Sequence, residues 1–191
     1  CIYVFMNDSS KFFSLKEKLT GTNLYLVGMM GSGKSKTGPL IAKALGYSFI
    51  DLDNVLEEVT KKSILEIFQD FGESEFRDLE AQVLKEVGKN HSLVIATGGG
   101  IVTIPKNWGI LHQGIVIWID PDRDCLLKRI QSDKTIRPLL KTSKPIEKFD
   151  KLLLERKPIY LQSDLHIKVQ DESPQEVVAL ILEGLKNITN T

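Results

Sequence analysis

Gly28-Met29-Met30-Gly31-Ser32-Gly33-Lys34-Ser35 fits the pattern G-x-x-x-x-G-K-[S/T] and directly follows the apolar run Leu24-Tyr25-Leu26-Val27. A buried strand, a glycine-rich turn and then a helix form the opening unit of a parallel α/β sheet. The glycines let backbone N–H groups approach an anion, and the helix beginning near Gly33 adds its positive N-terminal end. Lys34 is placed to reach the β- and γ-phosphates of a nucleoside triphosphate, and the Ser35 hydroxyl to ligate Mg²⁺. The stretch predicts nucleotide binding through Gly31, Ser32, Gly33, Lys34 and Ser35.

Working outward, Phe13 and Leu15 among lysines and Glu17 suggest a short helix over about 10–20 leading into the strand. After a helix over about 34–45 that stops at Gly46, Ser48-Phe49-Ile50 reads as a second strand ending in Asp51-Leu52-Asp53. Helical patterns follow over about 54–60, 63–71 and 74–89, and then a strand, Leu93-Val94-Ile95-Ala96, that runs into Thr97-Gly98-Gly99-Gly100. Ile115–Ile119 reads as a strand, with Asp120-Pro121 as the cap of a helix over about 121–131. The polar stretch 131–147, with Pro138 and Pro145, reads as a mobile lid. A helix over about 148–160, a strand at Leu165–Val169 and a helix at 174–187 complete the alternation. The expected fold is three-layer α/β/α around a parallel sheet of about five strands. It is read as one domain over 1–191, with its core at about 22–187 and an N-terminal extension at 1–21.

Composition narrows the function. The 25 basic and 25 acidic residues cancel, which points away from nucleic acid and anionic membranes, and no apolar run is long enough to cross a bilayer. Cys1 and Cys125 offer neither a metal spacing nor a disulfide framework, which suits a reducing compartment. Cys125 reads as a core thiol. The chain starts at Cys1 rather than Met, so a fragment or a processed form is compatible with it.

Ligands of open parallel sheets bind beyond the carboxyl ends of the strands. The phosphate loop, Asp51/Asp53 and Gly98–Gly100 all follow strands, so they are expected in one cleft. Alone, Asp51 and Asp53 would be a solvated pair with Asp53 capping the next helix. Beside a phosphate loop, one carboxylate serves Mg²⁺ and the other orients or deprotonates an attacking hydroxyl. Arg77 and Glu80, at i,i+3, read either as a surface ion pair or as an Arg held for an anionic substrate. Three successive glycines at 98–100 suggest close backbone approach to a ligand. Arg137, in Arg137-Pro138-Leu139-Leu140, reads as a lid residue closing on the phosphates. Arg156, near a helix end, reads by default as a solvated surface residue.

The ordered set resembles the shikimate kinases. Gly28–Ser35, Asp51/Asp53, Phe76-Arg77-Asp78-Leu79-Glu80, Thr97–Gly100, Arg137–Leu140 and Glu155–Tyr160 match that family's motifs in order, from about Leu24 to Leu185. The stretches Tyr25–Lys34 and Val94–Val102 look most like its cyanobacterial and plastid members. The resemblance implies a P-loop kinase fold and ATP-dependent, Mg²⁺-requiring phosphorylation of the shikimate 3-hydroxyl, on the way to chorismate. It implies that Asp53 holds the hydroxyl and is the base, and that Asp51 supports Mg²⁺ through water with Ser35. It further implies that Arg77 and Arg156 bind the substrate carboxylate, that Gly98, Gly99 and Gly100 line its site, and that Lys34 and Arg137 stabilise the transferred group. Arg129 and the loop at Asp171–Pro174 are implied to flank adenine. A monomer is expected, in the cytoplasm or, after removal of a transit peptide, in the plastid stroma.

Two residues depart from the family pattern. Lys36 stands where the family usually has a Thr that contacts the α-phosphate, so Lys36 is expected to alter nucleotide affinity. Pro39 replaces a commonly basic residue and is expected to remove one helical hydrogen bond and kink the helix. A catalytically silent relative is the alternative, although such a protein is expected to have lost Asp53 or an Arg. A switch NTPase lacks support, since no N-K-x-D motif is present. A kinase of gluconate or of a nucleoside monophosphate fits Gly98–Gly100, Arg77 and Arg156 less well.

Overall fold

A computed structural model describes residues 15–133 and 137–190. Cys1, Phe13 and residues 134–136 of the expected lid lie outside the described residues. Five strands, β1 (Leu24–Val27), β2 (Ser48–Asp51), β3 (Leu93–Ala96), β4 (Ile115–Pro121) and β5 (Leu165–Val169), form one parallel sheet. Their spatial order is β2-β3-β1-β4-β5. The helices are α1 (Lys34–Leu45), α2 (Leu52–Thr60), α3 (Ile64–Val87), α4 (Pro105–Leu111), α5 (Arg123–Ser132), α6 (Pro145–Tyr160) and α7 (Pro174–Ile188).

Alternation along the strands builds the two layers, because successive side chains of a strand point to opposite faces. Leu24, Leu26, Ile117 and Ile119 pack with Ile41 and Leu45 of α1 and Val177, Ile181 and Leu185 of α7. Tyr25, Val27, Val116 and Trp118 face the other way, onto Leu84 of α3 and Phe149 and Tyr160 of α6. Leu15 and Leu19, on a helical turn at residues 15–19, are buried in the first of these cores. A small third cluster, Leu56, Ile67 and Phe76, fastens α2 to α3.

Several expectations shift. The break between the helical patterns 63–71 and 74–89 is a single residue, Gly72 (φ 80°, ψ 177°), inside one helix that starts with a Ser63/Glu66 capping box. Asp120 and Pro121 are the last residues of β4, not a cap, and Asp122 precedes α5. Asp120 is buried and holds His166 and Lys168 from the adjacent strand β5. The segment between α5 and α6 is shorter than the expected lid, because α6 begins at Pro145, which is well suited to a first helical turn. Residues Ile101–Thr103 (3₁₀) and α4, which carry no periodic signal in the sequence, follow the end of β3. Cys125 is half-buried rather than a core thiol. Pro39 is exposed on α1, which runs unbroken from Lys34 to Leu45. The missing N–H therefore does not divide the helix.

Candidate active site

The carboxyl ends of β1, β2 and β3 open into a cleft of about 760 Å³, bounded on the far side by Arg137–Leu139 and Arg156. Gly31, Lys34, Ser35, Asp51, Asp53, Arg77, Gly98, Gly99, Gly100, Arg137 and Arg156 all line it, as does Glu80. The convergence expected from the strand ends is therefore present. Ser32, Gly33, Lys36 and Arg129 do not line the cleft. Ser32 is buried beneath the loop and accepts from Lys34. Gly33 caps α1 with φ 100°, a left-handed conformation that only glycine adopts cheaply. Lys36 points outward from the first turn of α1. Arg129, on α5, donates to Gly31 O at 3.4 Å and lies over the phosphate loop.

Lys34 Nζ donates to Gly28 O at 2.9 Å, Met29 O at 3.1 Å and Ser32 Oγ at 3.2 Å, so the ammonium is held inside the curl of the loop. Burial pulls its pKa down to about 8, against the opposing pull of Asp53 and Asp51. It is still mostly charged at neutral pH.

Asp51 has two tasks. Oδ1 accepts the Asp53 N–H at 3.1 Å and caps α2, while Oδ2 accepts from the Ser35 hydroxyl at 2.6 Å. The cap expected of Asp53 thus belongs to Asp51, which leaves the Asp53 side chain free. Among the described residues no side chain donates to the Asp53 carboxylate. Burial raises the Asp53 pKa, and neighbouring Asp51 adds to the rise while Lys34 and Arg77 oppose it. A carboxylate in that condition is a stronger hydrogen-bond acceptor and base than an exposed one.

Arg77 is no surface residue. It is clamped between Glu80, buried beside it, and Glu73, whose Oε1 lies 3.1 Å from Nη2. Burial would lower the Arg77 pKa, but Glu80 and Glu73 more than offset this and raise it. Burial pushes Glu80 up to about 7 although Arg77 pulls the other way, and Glu80 Oε1 has no hydrogen-bond partner among the described residues. Sequence reasoning missed Glu73, although its i,i+4 spacing to Arg77 was available as a signal.

The triple glycine makes room for these side chains as well as for a ligand. A Cβ at Gly98 would lie 2.2 Å from Glu80 Oε1, and one at Gly100 would lie 2.4 Å from Arg77 Cζ. Gly99 sits against Arg156, whose Nη1 would be 3.4 Å from an added Cβ. Arg156 is buried, contrary to the solvated role its helix-end position suggested, and no carboxylate pairs with it among the described residues. Arg137 Nη2 donates to Asp133 Oδ2 at 2.8 Å, while its Nη1 is buried with no partner among the described residues. Buried guanidinium donors beside a cleft call for an anion, because an unmatched buried charge is strongly unfavourable.

The residues for Mg²⁺ fit that ion. Ser35 and Asp51 present adjacent hard oxygens, and among the described residues no cluster of three or more His, Cys, Asp or Glu side chains forms a complete metal cage. Mg²⁺ suits such a partial set, since it keeps waters and takes phosphate oxygens. The loop at Asp171–Pro174 is fixed by the Ser173/Glu176 capping box of α7 and does not line the cleft.

The chain is similar to known proteins along most of its length. The shikimate kinase family model matches residues 30–186. A shikimate kinase from Prochlorococcus marinus (strain MIT 9211) is 58% identical over 181 residues, covering 95% of this chain and 91% of its own. One from Synechococcus sp. (strain CC9605) is 51% identical over 183 residues, covering 96% and 91%. Among solved structures, a shikimate kinase from Acinetobacter baumannii in complex with shikimate has a TM-score of 0.85 at 35% identity, covering 93% of this chain and 98% of that one. A gluconokinase from Sinorhizobium meliloti 1021 shares the fold alone, with a TM-score of 0.57 at 17% identity over 89% of this chain and 94% of its own. With its phosphate loop, paired aspartates and arginine-lined cleft in place, the chain belongs to the shikimate kinase family.

Proposed function

We propose that this chain transfers the γ-phosphoryl group of ATP to the 3-hydroxyl of shikimate, yielding shikimate 3-phosphate and ADP on the route to chorismate. The observation that carries this reading is the pairing, in one cleft, of a carboxylate free to take a hydroxyl proton with two buried arginines. Arg156, which has no acidic partner among the described residues, supplies the complement to a substrate carboxylate, and Arg77 supplies a second fork. Asp53 accepts the hydrogen bond of the reacting hydroxyl and takes its proton as the oxygen attacks phosphorus. The phosphate-loop amides of Gly31, Ser32 and Gly33 hold the polyphosphate, with Lys34 and the Arg137 guanidinium at the transferred group.

Ser35 and Asp51 are the residues that would hold Mg²⁺, which when bound would neutralise charge on the phosphates. Arg129, over the phosphate loop, flanks the nucleotide; Lys36, on the outer face of the first turn, tunes its affinity without touching the cleft. The protein acts as a monomer on small molecules. A cytoplasmic or stromal setting fits the free half-buried Cys125. No helix among the described residues is long and apolar enough to cross a membrane.

The test is ADP release from Mg-ATP by the pure protein with and without shikimate. Shikimate-dependent release, with gluconate and nucleoside monophosphates inert, is the expected result. ATP binding without shikimate-stimulated turnover would instead favour a silent relative.

A further inference from the structure

The buried Tyr160 hydroxyl donates to Gly99 O at 2.6 Å. Burial pushes the Tyr160 pKa up to about 12, while the charge and N–H of the neighbouring Arg156 guanidinium pull in the opposite direction. Arg156 Nη1 lies on the other side of the same glycine, 3.4 Å from where a Gly99 Cβ would sit, so arginine, glycine and phenol are gathered at the wall of the cleft. No carboxylate among the described residues holds Arg156, and the phenol of Tyr160 is a polar side chain beside it. Arg156 and Tyr160 lie at i,i+4 on α6, so the helix presents both on one face.

The ring itself has little freedom. Tyr160 stacks on Trp118 (centroids 5.5 Å, planes 24° apart), and Trp118 stacks on His166 (4.0 Å, 9°). His166 Nε2 lies 2.9 Å from Asp120 Oδ2, which also holds Lys168 at 2.7 Å. Side chains of β4 and β5 thus form a column behind the phenol, and the column ends at the substrate wall. Core packing alone needs a ring at position 160 but no hydroxyl. A hydroxyl placed between a buried cation and the backbone of the glycine run has a further use.

We propose that Tyr160 is a positioning residue for the acceptor substrate, fixing the Arg156 guanidinium and the Gly99 carbonyl in the geometry that receives a carboxylated ring. This rests on the reading of Arg156 given under Proposed function. The hydroxyl lies at the Gly99–Arg156 wall and not at the phosphate loop, so its loss is expected to act on acceptor affinity.

The experiment is steady-state kinetics of Tyr160→Phe, which keeps the ring and the stack, together with Arg156→Ala and the double variant. Tyr160→Phe is expected to raise the shikimate KM about tenfold, the scale of one hydrogen bond to a charged group left unmade, with ATP KM and kcat nearly unchanged. In the Arg156→Ala background the same change is expected to add little, since groups acting through one another are non-additive. A Tyr160→Phe enzyme with wild-type shikimate KM, or with ATP KM rising in step, overturns the proposal. So does a full additional loss in the double variant. If Arg156→Ala leaves the shikimate KM unchanged, the carboxylate reading of Arg156 falls and takes the proposal with it. If Arg156→Ala raises the KM and Tyr160→Phe does not, only the positioning role falls.

Discussion

Ser35 and Asp51 meet at 2.6 Å, hydroxyl to carboxylate, where the first turn of α1 passes the end of β2. The other oxygen of Asp51 caps α2 through the Asp53 N–H, so one side chain ties the proposed metal position to the start of the helix that carries the proposed base. These two tasks separate by mutation. Asp51→Asn keeps a good capping acceptor and removes the charge, so Tm is expected to hold while the Mg²⁺ concentration for half-maximal rate rises. Asp51→Ala removes both and is expected to lose about 1 kcal/mol of stability as well. Thermal melts and a Mg²⁺ titration of the two variants check this, and equal melting losses would discount the cap.

Asp53→Asn is expected to lower kcat by about 10²- to 10⁴-fold, the range for a general base, with ATP affinity nearly intact. Coupled ADP-release assays and nucleotide binding measure the two quantities. A near-normal rate would remove Asp53 as the base.

The pH profile should carry the same residue's signature. The Asp53 pKa is raised by burial and then by Asp51, and the base works only when ionised. Activity is therefore present above that raised pKa and lost as pH falls through it, at higher pH than for an ordinary carboxylate. Because Asp51 contributes to the rise, Asp51→Asn is expected to move the acid limb of kcat/KM to lower pH. A limb that stays in place would assign it to another group.

Gly100→Ala would put a methyl 2.4 Å from Arg77 Cζ. The guanidinium must then leave its place, and the expected result is a shikimate KM raised by about tenfold or more with ATP KM little changed, as for misplacing a partner of a buried charge. A KM effect confined to ATP would contradict the placement of Arg77 on the acceptor side.

Lys36→Thr should change the ATP KM more than the shikimate KM, since Lys36 sits on the first turn of α1, away from the acceptor wall. Kinetics with each substrate varied in turn decide it, and the reverse pattern would discredit the reading.

Much of this architecture was legible because the strands are short, apolar and punctuated by glycine or aspartate. Leu24–Val27, Leu93–Ala96 and Leu165–Val169 match the sequence reading residue for residue. The cleft followed from topology, since motifs after parallel strands share one edge. What escaped depended on tertiary neighbours. Asp120-Pro121 has the local chemistry of a helix cap, yet β4 extends through it because β5 offers Lys168 and Val169 as partners. Arg156 was indistinguishable from an exposed helix-end arginine until α6 was packed against Gly99. The glycines at 98 and 100 signalled close approach correctly, but local sequence does not say that Glu80 and Arg77 are what approach.

The stacking of Trp118 on Tyr160 gives this protein an optical handle. The indole is buried and one ring away from the Gly99 wall, whereas the other tryptophan, Trp108, donates to Val102 O under the end of β3. Intrinsic fluorescence from Trp118 should therefore respond to a change of charge or hydration at that wall, with Trp108→Phe isolating the signal. Acceptor occupancy would then be readable in solution without turnover, label or coupling enzyme.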